Sequence, residues 1–384
     1  MTIRNKNALL LAKIESTSGV DASPVAATDA LLVLNPSPPK FSVNNVQTNE
    51  LSGSLDGLGP LVGGKKAEIT FEVYLKGSGT AGTPPEYADL LKACGMAETI
   101  LGTALPVSAE ACAAGGSTTS AILGVSASTT AQAYRGMPIN LTGVAAGNSF
   151  ISDYTSGKAA TLTDTMGAAI VATTSYQIPA NVVYGPASNN IPSLTMYYYI
   201  DGIRYRLVGC RGQMNIKLDT NGVAVLQFTF MGMFLDKADA SMPASPVFDA
   251  TRPPIFLNGK CLINRLPAAT RAIQLSDGMQ LVFPDDPNAV EGINTPEHTS
   301  RRWTGSMDPL ETLVATRDLL ADMTAGTSRI MHARFGQVAG NRVGITIPQA
   351  RFTQVNPGDR DGMATNDVQI ECVGRESGIF ICLY

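Results

Sequence analysis

Histidine is almost missing from this sequence, with two among 384 residues. His298 and His332 stand apart, and neither belongs to an HExxH or HxH pattern or has a cysteine partner. A histidine-built metal centre or acid–base pair therefore has no material. Cysteine is scarce too. The six, at 94, 112, 210, 261, 372 and 382, show no CxxC or CxxH spacing. That excludes a zinc ribbon and, in a chain this long, a disulfide scaffold. They read as small buried residues in a reducing compartment. Lysine and arginine form no cluster: 28 of them against 32 acidic residues leave a charge of −4, spread evenly along the chain. The electrostatic footprint for gripping nucleic-acid phosphates is absent. No apolar run is long enough for a membrane helix. The short run Ala8–Ala12 meets Lys13 and Glu15 before the core of a secretory signal can form. No G-x-S-x-G elbow occurs.

What is present is an ordinary apolar fraction, 44%, enough for a sizeable core, and length for two or three domains of about 100–200 residues. Ala67–Leu75 (AEITFEVYL) alternates, with Ile69, Phe71, Val73 and Leu75 on one face; period two predicts a half-buried strand. Val43–Lys66 before it is rich in Asn, Gly and Ser and reads as a long exposed arm. After the strand, Thr83-Pro84-Pro85-Glu86 predicts a helix start, with Thr as cap, Pro at the first position and Glu at the third. Tyr87, Leu90, Leu91 and Cys94 form its apolar stripe, and Gly95 ends it.

The composition then changes. Residues 101–200 hold five charged residues (Glu110, Arg135, Asp153, Lys158, Asp164), against 55 in the rest of the chain. Short strand candidates at Ile122–Val125, Met137–Leu141, Phe150–Ile151, Ala160–Thr163 and Tyr176–Ile178 alternate with glycine turns. This predicts a small all-β module, placed as an insertion at about 112–183. Beyond it, Asp201-Gly202 and Asp219-Thr220-Asn221-Gly222 mark two hairpins, and residues 236–255, with four prolines, read as a linker.

The second half follows the same plan. Pro284–Arg301 is polar and long, Arg302–Met307 is a strand candidate, and Asp308-Pro309-Leu310-Glu311 starts a helix that Gly326 ends. A hairpin crosses Gly340-Asn341, and another crosses Asn356-Pro357-Gly358-Asp359. Both halves read arm, strand, capped helix, hairpin, hairpin, which predicts a tandem duplication. The domains expected are 1–111 with 184–240, an inserted module at 112–183, a linker at 241–255, and 256–384.

Gly77-Ser78-Gly79-Thr80-Ala81-Gly82 matches G-x-G-x-x-G between a strand and a helix, the pattern of a dinucleotide-binding turn. The preceding strand alternates, Glu86 would repel a pyrophosphate, and the second half has no glycine in this place, so a flexible connector is the better reading. Asp285-Asp286, Asp359 and Asp361 lack EF-hand spacing and read as turn residues. His298 reads as solvated and His332 as a residue on a sheet face. Trp303 and Tyr197–Tyr199 read as sheet packing; an aromatic nucleic-acid platform would need basic neighbours, and Arg204 and Arg206 across the hairpin keep that alternative open.

Three segments together resemble the major tail tube proteins of long-tailed bacteriophages: LLAKIESTSGVDA (Leu10–Ala22), GKKAEITFEVYLKGSGTAGTPPEYADLLKACG (Gly64–Gly95), and YYYIDGIRYRLVGCRGQMNIKL with VLQFTFMG between Met196 and Gly232. With the run Arg302–Val373 they span about half of the chain. The resemblance implies a mainly β fold: two tandem β-sandwich or barrel-like tube domains, each flanked by a helix, plus the inserted β module, which departs from the usual shorter connection and would sit outside a tube. It implies a non-enzymatic virion protein, without cofactor or metal, assembled in the host cytoplasm. Copies would join edge to edge into rings, here a trimer acting as a pseudo-hexamer, stacked into a hollow tube of a flexible, sheathless tail. Partners implied are the tape-measure protein, tail terminator and distal tail proteins, and DNA passing through the lumen without specific binding; no membrane is involved. Inter-ring contact is expected on the first arm, at Thr48, Glu50, Leu51, Leu58, Leu61 and Val62. The alternative is a β-rich adhesion or carbohydrate-binding protein, in which 112–183 would be the working part.

Overall fold

The computed structural model describes residues 4–48, 50, 51, 53, 56 and 59–384. The chain is mainly β, and its two α-helices, Ala88–Ala93 and Leu319–Thr324, are six residues each. In the first half an antiparallel sheet runs Lys40–Val46, Leu61–Tyr74, Val225–Asp239, Ile203–Asp219, Leu194–Ile200, Ala8–Ile14, Ala30–Leu31, each pairing with the next. In the second half Ala272–Ser276, Thr304–Met307, Met363–Cys372, Val343–Arg360, Ser328–Phe335, Lys260–Ile263 and Leu266–Pro267 pair in the same succession. In each half the strand before the helix pairs with the last strand of the second hairpin. The order of elements read from the sequence thus recurs as an order of strand pairing.

The hairpin signal at Asp201-Gly202 acts as expected: both residues have positive φ, 40° and 101°, the two-residue turn that matches strand twist. At the other end of the second half the turn lies elsewhere. Strand Val343–Arg360 runs straight through Asn356-Pro357-Gly358-Asp359, and the chain reverses at Asp361-Gly362, φ 55° and 82°. Pro357 sits in the strand because the side away from Met363–Cys372 has no partner there among the described residues.

Both helices start later than their local chemistry predicts. Thr83 caps nothing; the first helix begins at Ala88 after Tyr87, without a side-chain cap. Glu86 is drawn away to the buried Lys76, 3.2 Å from its ammonium, and accepts the Asp249 N–H. The predicted apolar stripe holds, with Tyr87, Leu90, Leu91 and Cys94 buried and Gly95 at φ 75°. In the second half Asp308 accepts from Thr270, Arg271 and Ala272, and Asp318 caps the helix instead, its carboxylate accepting the Ala321 N–H at 2.8 Å. Leu313 and Val314 are exposed as a result. The first arm is a hairpin at its base, since Lys40–Val46 pairs with the start of Leu61–Tyr74. The stretch read as linker begins inside strand Val225–Asp239.

Residues 105–178 build a separate six-stranded sheet in the order Leu105–Ala111, Ser175–Ile178, Pro138–Thr142, Gly147–Tyr154, Ala159–Leu162, Ser120–Ile122. Its first strand is not among those expected: Leu105, Val107, Ala109 and Ala111 alternate, but Val107, Ala109 and Ala111 are exposed and Pro106 is the buried residue. Strands Met96–Leu101 and Asn181–Pro186 pair antiparallel and carry the chain into and out of this sheet. The last strand, Phe380–Leu383, pairs with both Asn181–Pro186 and Val343–Arg360. It stitches this stem to the second half. Burial of Phe150, Tyr154, Tyr176, Ile139 and Ile178 gives the 105–178 sheet its own core. Most of the other buried residues, from both halves, form one continuous core, and Leu9, Leu11, Ala26, Ala30, Tyr197 and Tyr199 form a small separate cluster. Four of the six cysteines, Cys94, Cys112, Cys210 and Cys382, are buried.

Candidate functional site

The two repeated sheets are joined. The outer half of Ile203–Asp219 pairs on one side with Val225–Asp239 and on the other with Ala272–Ser276: Asn215 opposite Ser276, Leu218 opposite Ile273. Ala272–Ser276 in turn pairs with Thr304–Met307. One row of residues therefore crosses the seam: Glu72, Gln227, Asn215, Ser276, Thr304, Glu371, Arg351. The adjacent row reads Val73, Leu226, Ile216, Leu275, Gly305, Ile370, Phe352. Because strand side chains alternate between faces, one face of the joined sheet is apolar and packs on the core, while the other carries amides, hydroxyls and paired charges. That polar face is concave, with a shallow groove of about 360 Å³ between Lys217, Gln227, Gln274, Ser306 and Gln369. Two of its cations have partners: Lys217 lies 3.9 Å from Glu72, and Arg302 makes a two-pronged contact with Glu371 at 2.8 and 2.7 Å. Arg351, exposed at the end of the row, lies opposite Glu371 without an ion pair of its own among the described residues.

Asp277 closes the end of the seam. Its carboxylate accepts the Met214 and Met279 N–H groups at 2.7 and 3.0 Å, and its own N–H donates to the Met214 carbonyl. Burial pushes its pKa up to about 7 against these donors and the nearby Arg301. The protonated acid thus persists nearly to neutrality at a point where both halves meet.

A second surface is the pair of arms. Every residue of Lys40–Val46 is exposed. Where the arm returns, Lys65 N–H donates to Glu291 at 3.0 Å, and Gly64 lies so close to the 284–301 stretch that a Cβ would come within 2.2 Å of the Glu291 carbonyl oxygen. The groove between the arms measures about 890 Å³. Of the expected contact residues, Thr48 donates to Glu50 at 3.4 Å, Leu51 is fully exposed, and Leu61 and Val62 are 61% and 67% exposed on the arm hairpin. Leu58 lies outside the described residues.

The 105–178 sheet is clamped to the second half. Asp164, buried, faces Arg334 through both guanidinium nitrogens at 3.1 Å and Lys260 at 3.1 Å. Burial raises its pKa, but Arg334 and Lys260 outweigh it and hold the carboxyl below its usual range. The Phe150 ring lies 4.4 Å from that of His332. His332 is fully buried and shares a hydrogen bond with Thr346 at 3.0 Å; burial, then the Arg334 charge, drives its pKa down to about 3. His298 is half-buried, not solvated, with Nε2 3.0 Å from the Gly212 carbonyl oxygen.

The remaining motifs resolve into packing. The glycine stretch is pinned rather than flexible: Gly77 N–H donates to Asn341 and Gly79 N–H to the Gly340 carbonyl. Asp286 accepts from Asn288 and Asn294 within its own turn. Tyr197–Tyr199 are buried, and Tyr197 donates to Asp21, which also pairs with Arg206. Among the described residues no helix is long and apolar enough to cross a membrane. The seam itself had no sequence signature, because it pairs strands more than 50 residues apart. A family model described as phage tail tube protein matches residues 5–373. No curated protein matches the chain.

Proposed function

This chain belongs to the phage tail tube protein family, a structural component of the virion tail, and from that premise we propose that it assembles into stacked rings forming the hollow conduit for genome ejection. The observation that carries the reading is the seam: one chain already lays two repeated sheets edge to edge into a single surface, with polar residues on one side and core on the other. Three chains continuing that surface would complete six repeats around an axis, a trimer acting as a pseudo-hexamer. Closure would remove the unpaired edges that make open sheets prone to aggregation.

In this reading the concave polar face lines the lumen. Amides and hydroxyls dominate this face, and Glu72 and Glu371 offset Lys217 and Arg302, which leaves DNA little net positive field, so a duplex slides without being held. The repeat units are 1–111 with 184–240, and 256–384, connected by 241–255; the module at 112–183 projects outward and leaves the channel clear. The first arm, through Thr48, Glu50, Leu51, Leu58, Leu61 and Val62, reaches the next ring. The role is structural rather than catalytic, with the tape-measure, terminator and distal tail proteins as partners and the host cytoplasm as the place of assembly. Negative-stain microscopy of the purified chain tests this. Hollow tubes or stacked rings are expected; discrete monomers with affinity for glycans would overturn it in favour of an adhesion protein.

A further inference from the structure

The internal seam has a counterpart that is left open at both ends of the chain. Opposite-residue pairs fix the correspondence between halves. Met214 faces Phe228, which faces Phe71; Phe352 faces Ile370, which faces Gly305. Ile216 faces Leu226, as Val355 faces Val368. So Val355, Asn356 and Pro357 occupy the places of Ile216, Lys217 and Leu218, the residues that receive Ala272–Ser276 in the internal seam. Ser328–Phe335 pairs with Val343–Arg360 only as far as Arg351, so from Gln354 onward that side has no partner among the described residues.

At the other flank, the place of Ala272–Ser276 is taken by Leu32–Asn35. Leu34 pairs with Glu72 in both directions, 2.7 and 3.0 Å, as Gln274 pairs with Ser306 beside the second helix strand. With the Leu34 groups turned inward, strand alternation turns the Val33 groups and the Asn35 N–H outward. Leu32 is 47% exposed there. We infer, on the basis of the tube reading, that Leu32–Asn35 of one copy adds as an antiparallel strand to Gln354–Pro357 of the next, with Val33 opposite Pro357, Leu34 opposite Asn356 and Asn35 opposite Val355. The join repeats between chains the one that exists within the chain.

Hydrogen-bond directions agree. In the internal seam Met214 exchanges bonds with Asp277, so Ile216 and Leu218 point their backbone groups the same way. In the outer seam the Val355 carbonyl accepts from the Asn35 N–H, and Pro357, which has no N–H, offers only its carbonyl to Val33. The prolines keep the match short: Pro357 on one edge, and Pro36, Pro38 and Pro39 behind the other. Asn35, at φ 45°, turns the chain away. An edge interrupted in this way resists indiscriminate pairing while admitting one register. The surfaces differ, so the contact is head to tail and builds a ring where its rotation closes.

Cysteines at a non-hydrogen-bonded antiparallel pair lie about 4.5 Å apart at Cα, within disulfide range. Leu34→Cys with Asn356→Cys, oxidised after assembly, is expected to give a ladder of covalent oligomers that neither single variant gives. Lys217→Cys with Gln274→Cys, the internal equivalent, serves as the control that closes within one chain. Tubes without the ladder, while the control closes, overturn the seam and leave the tube reading standing; no tubes from the unaltered chain would sink the tube reading itself. Should the double variant fail to assemble, hydrogen exchange on unaltered tubes decides. Slowed exchange in 32–36 and 353–358 on assembly supports the seam, and unchanged exchange in both overturns it.

Discussion

Gly77 and Gly340 meet backbone to backbone. A Cβ added to Gly77 would lie 2.0 Å from the Gly340 carbonyl oxygen, and one added to Gly340 would lie 2.6 Å from the Gly79 carbonyl carbon. The connector before the first helix is thereby bolted to the hairpin turn of the second half. Gly77 is explained by this approach, and Gly79 and Gly82 by positive φ, 80° and 76°, so the stretch needs no phosphate.

Gly77→Ala should therefore destabilise the fold by about 1–3 kcal/mol, because the obstacle is backbone and cannot rotate aside. A lowered urea midpoint with unchanged slope is the expected readout. Gly102→Ala, with nothing within 4 Å of the new Cβ, serves as the control and should change stability by no more than about 0.5 kcal/mol.

Asp277 makes stability fall as pH rises. Its folded pKa of about 7 lies above the unfolded value near 4, so the folded state holds a proton that the unfolded state has released. The advantage is complete below about pH 4, drains at up to about 1.4 kcal/mol per unit, and is gone above about 7. Asp277→Asn should remove this slope. It should also cost about 1–3 kcal/mol at low pH, since an amide cannot accept both N–H groups. Urea unfolding across that range checks both.

His332 acts in the opposite sense. It stays neutral when folded down to about pH 3, whereas the unfolded residue takes up a proton near 6.5. Its contribution is complete above about 6.5 and is lost as pH falls toward 3. His332→Gln should flatten that acid limb. Because Phe150 rests on the ring, acidification of the unaltered protein should expose the 105–178 sheet to proteolysis before the rest of the chain, a protection the variant retains to lower pH.

The arm is tested where it is most exposed. Leu61→Asp with Val62→Asp should leave thermal stability within about 0.5 kcal/mol, as both side chains face solvent. Tube elongation should stop at single rings, visible by microscopy. Deleting residues 50–62 should do the same. Full-length tubes from either variant would remove the arm from the inter-ring contact.

The strand pattern and the hairpins were legible in the residues themselves. Ile69, Phe71 and Val73 alternate with Glu68, Thr70 and Glu72, and Asp201-Gly202 accepts positive φ at little cost, so each signal is complete within a few residues. The repeat was legible for the same reason, as an order of local signals. Capping was not: Glu86 and Asp308 carry helix-start chemistry, but Lys76 and the backbone of Arg271 and Ala272 compete for their carboxylates from elsewhere in the chain. The turn at Asn356-Pro357-Gly358-Asp359 was overridden by pairing with Met363–Cys372. Local sequence determined which segments would be strands, because side-chain alternation and turn conformations act over neighbours. Only the tertiary structure decided which edges meet and which stay open, because a strand edge offers the same N–H and C=O groups whatever its side chains, and its partner is chosen by the packing of the whole.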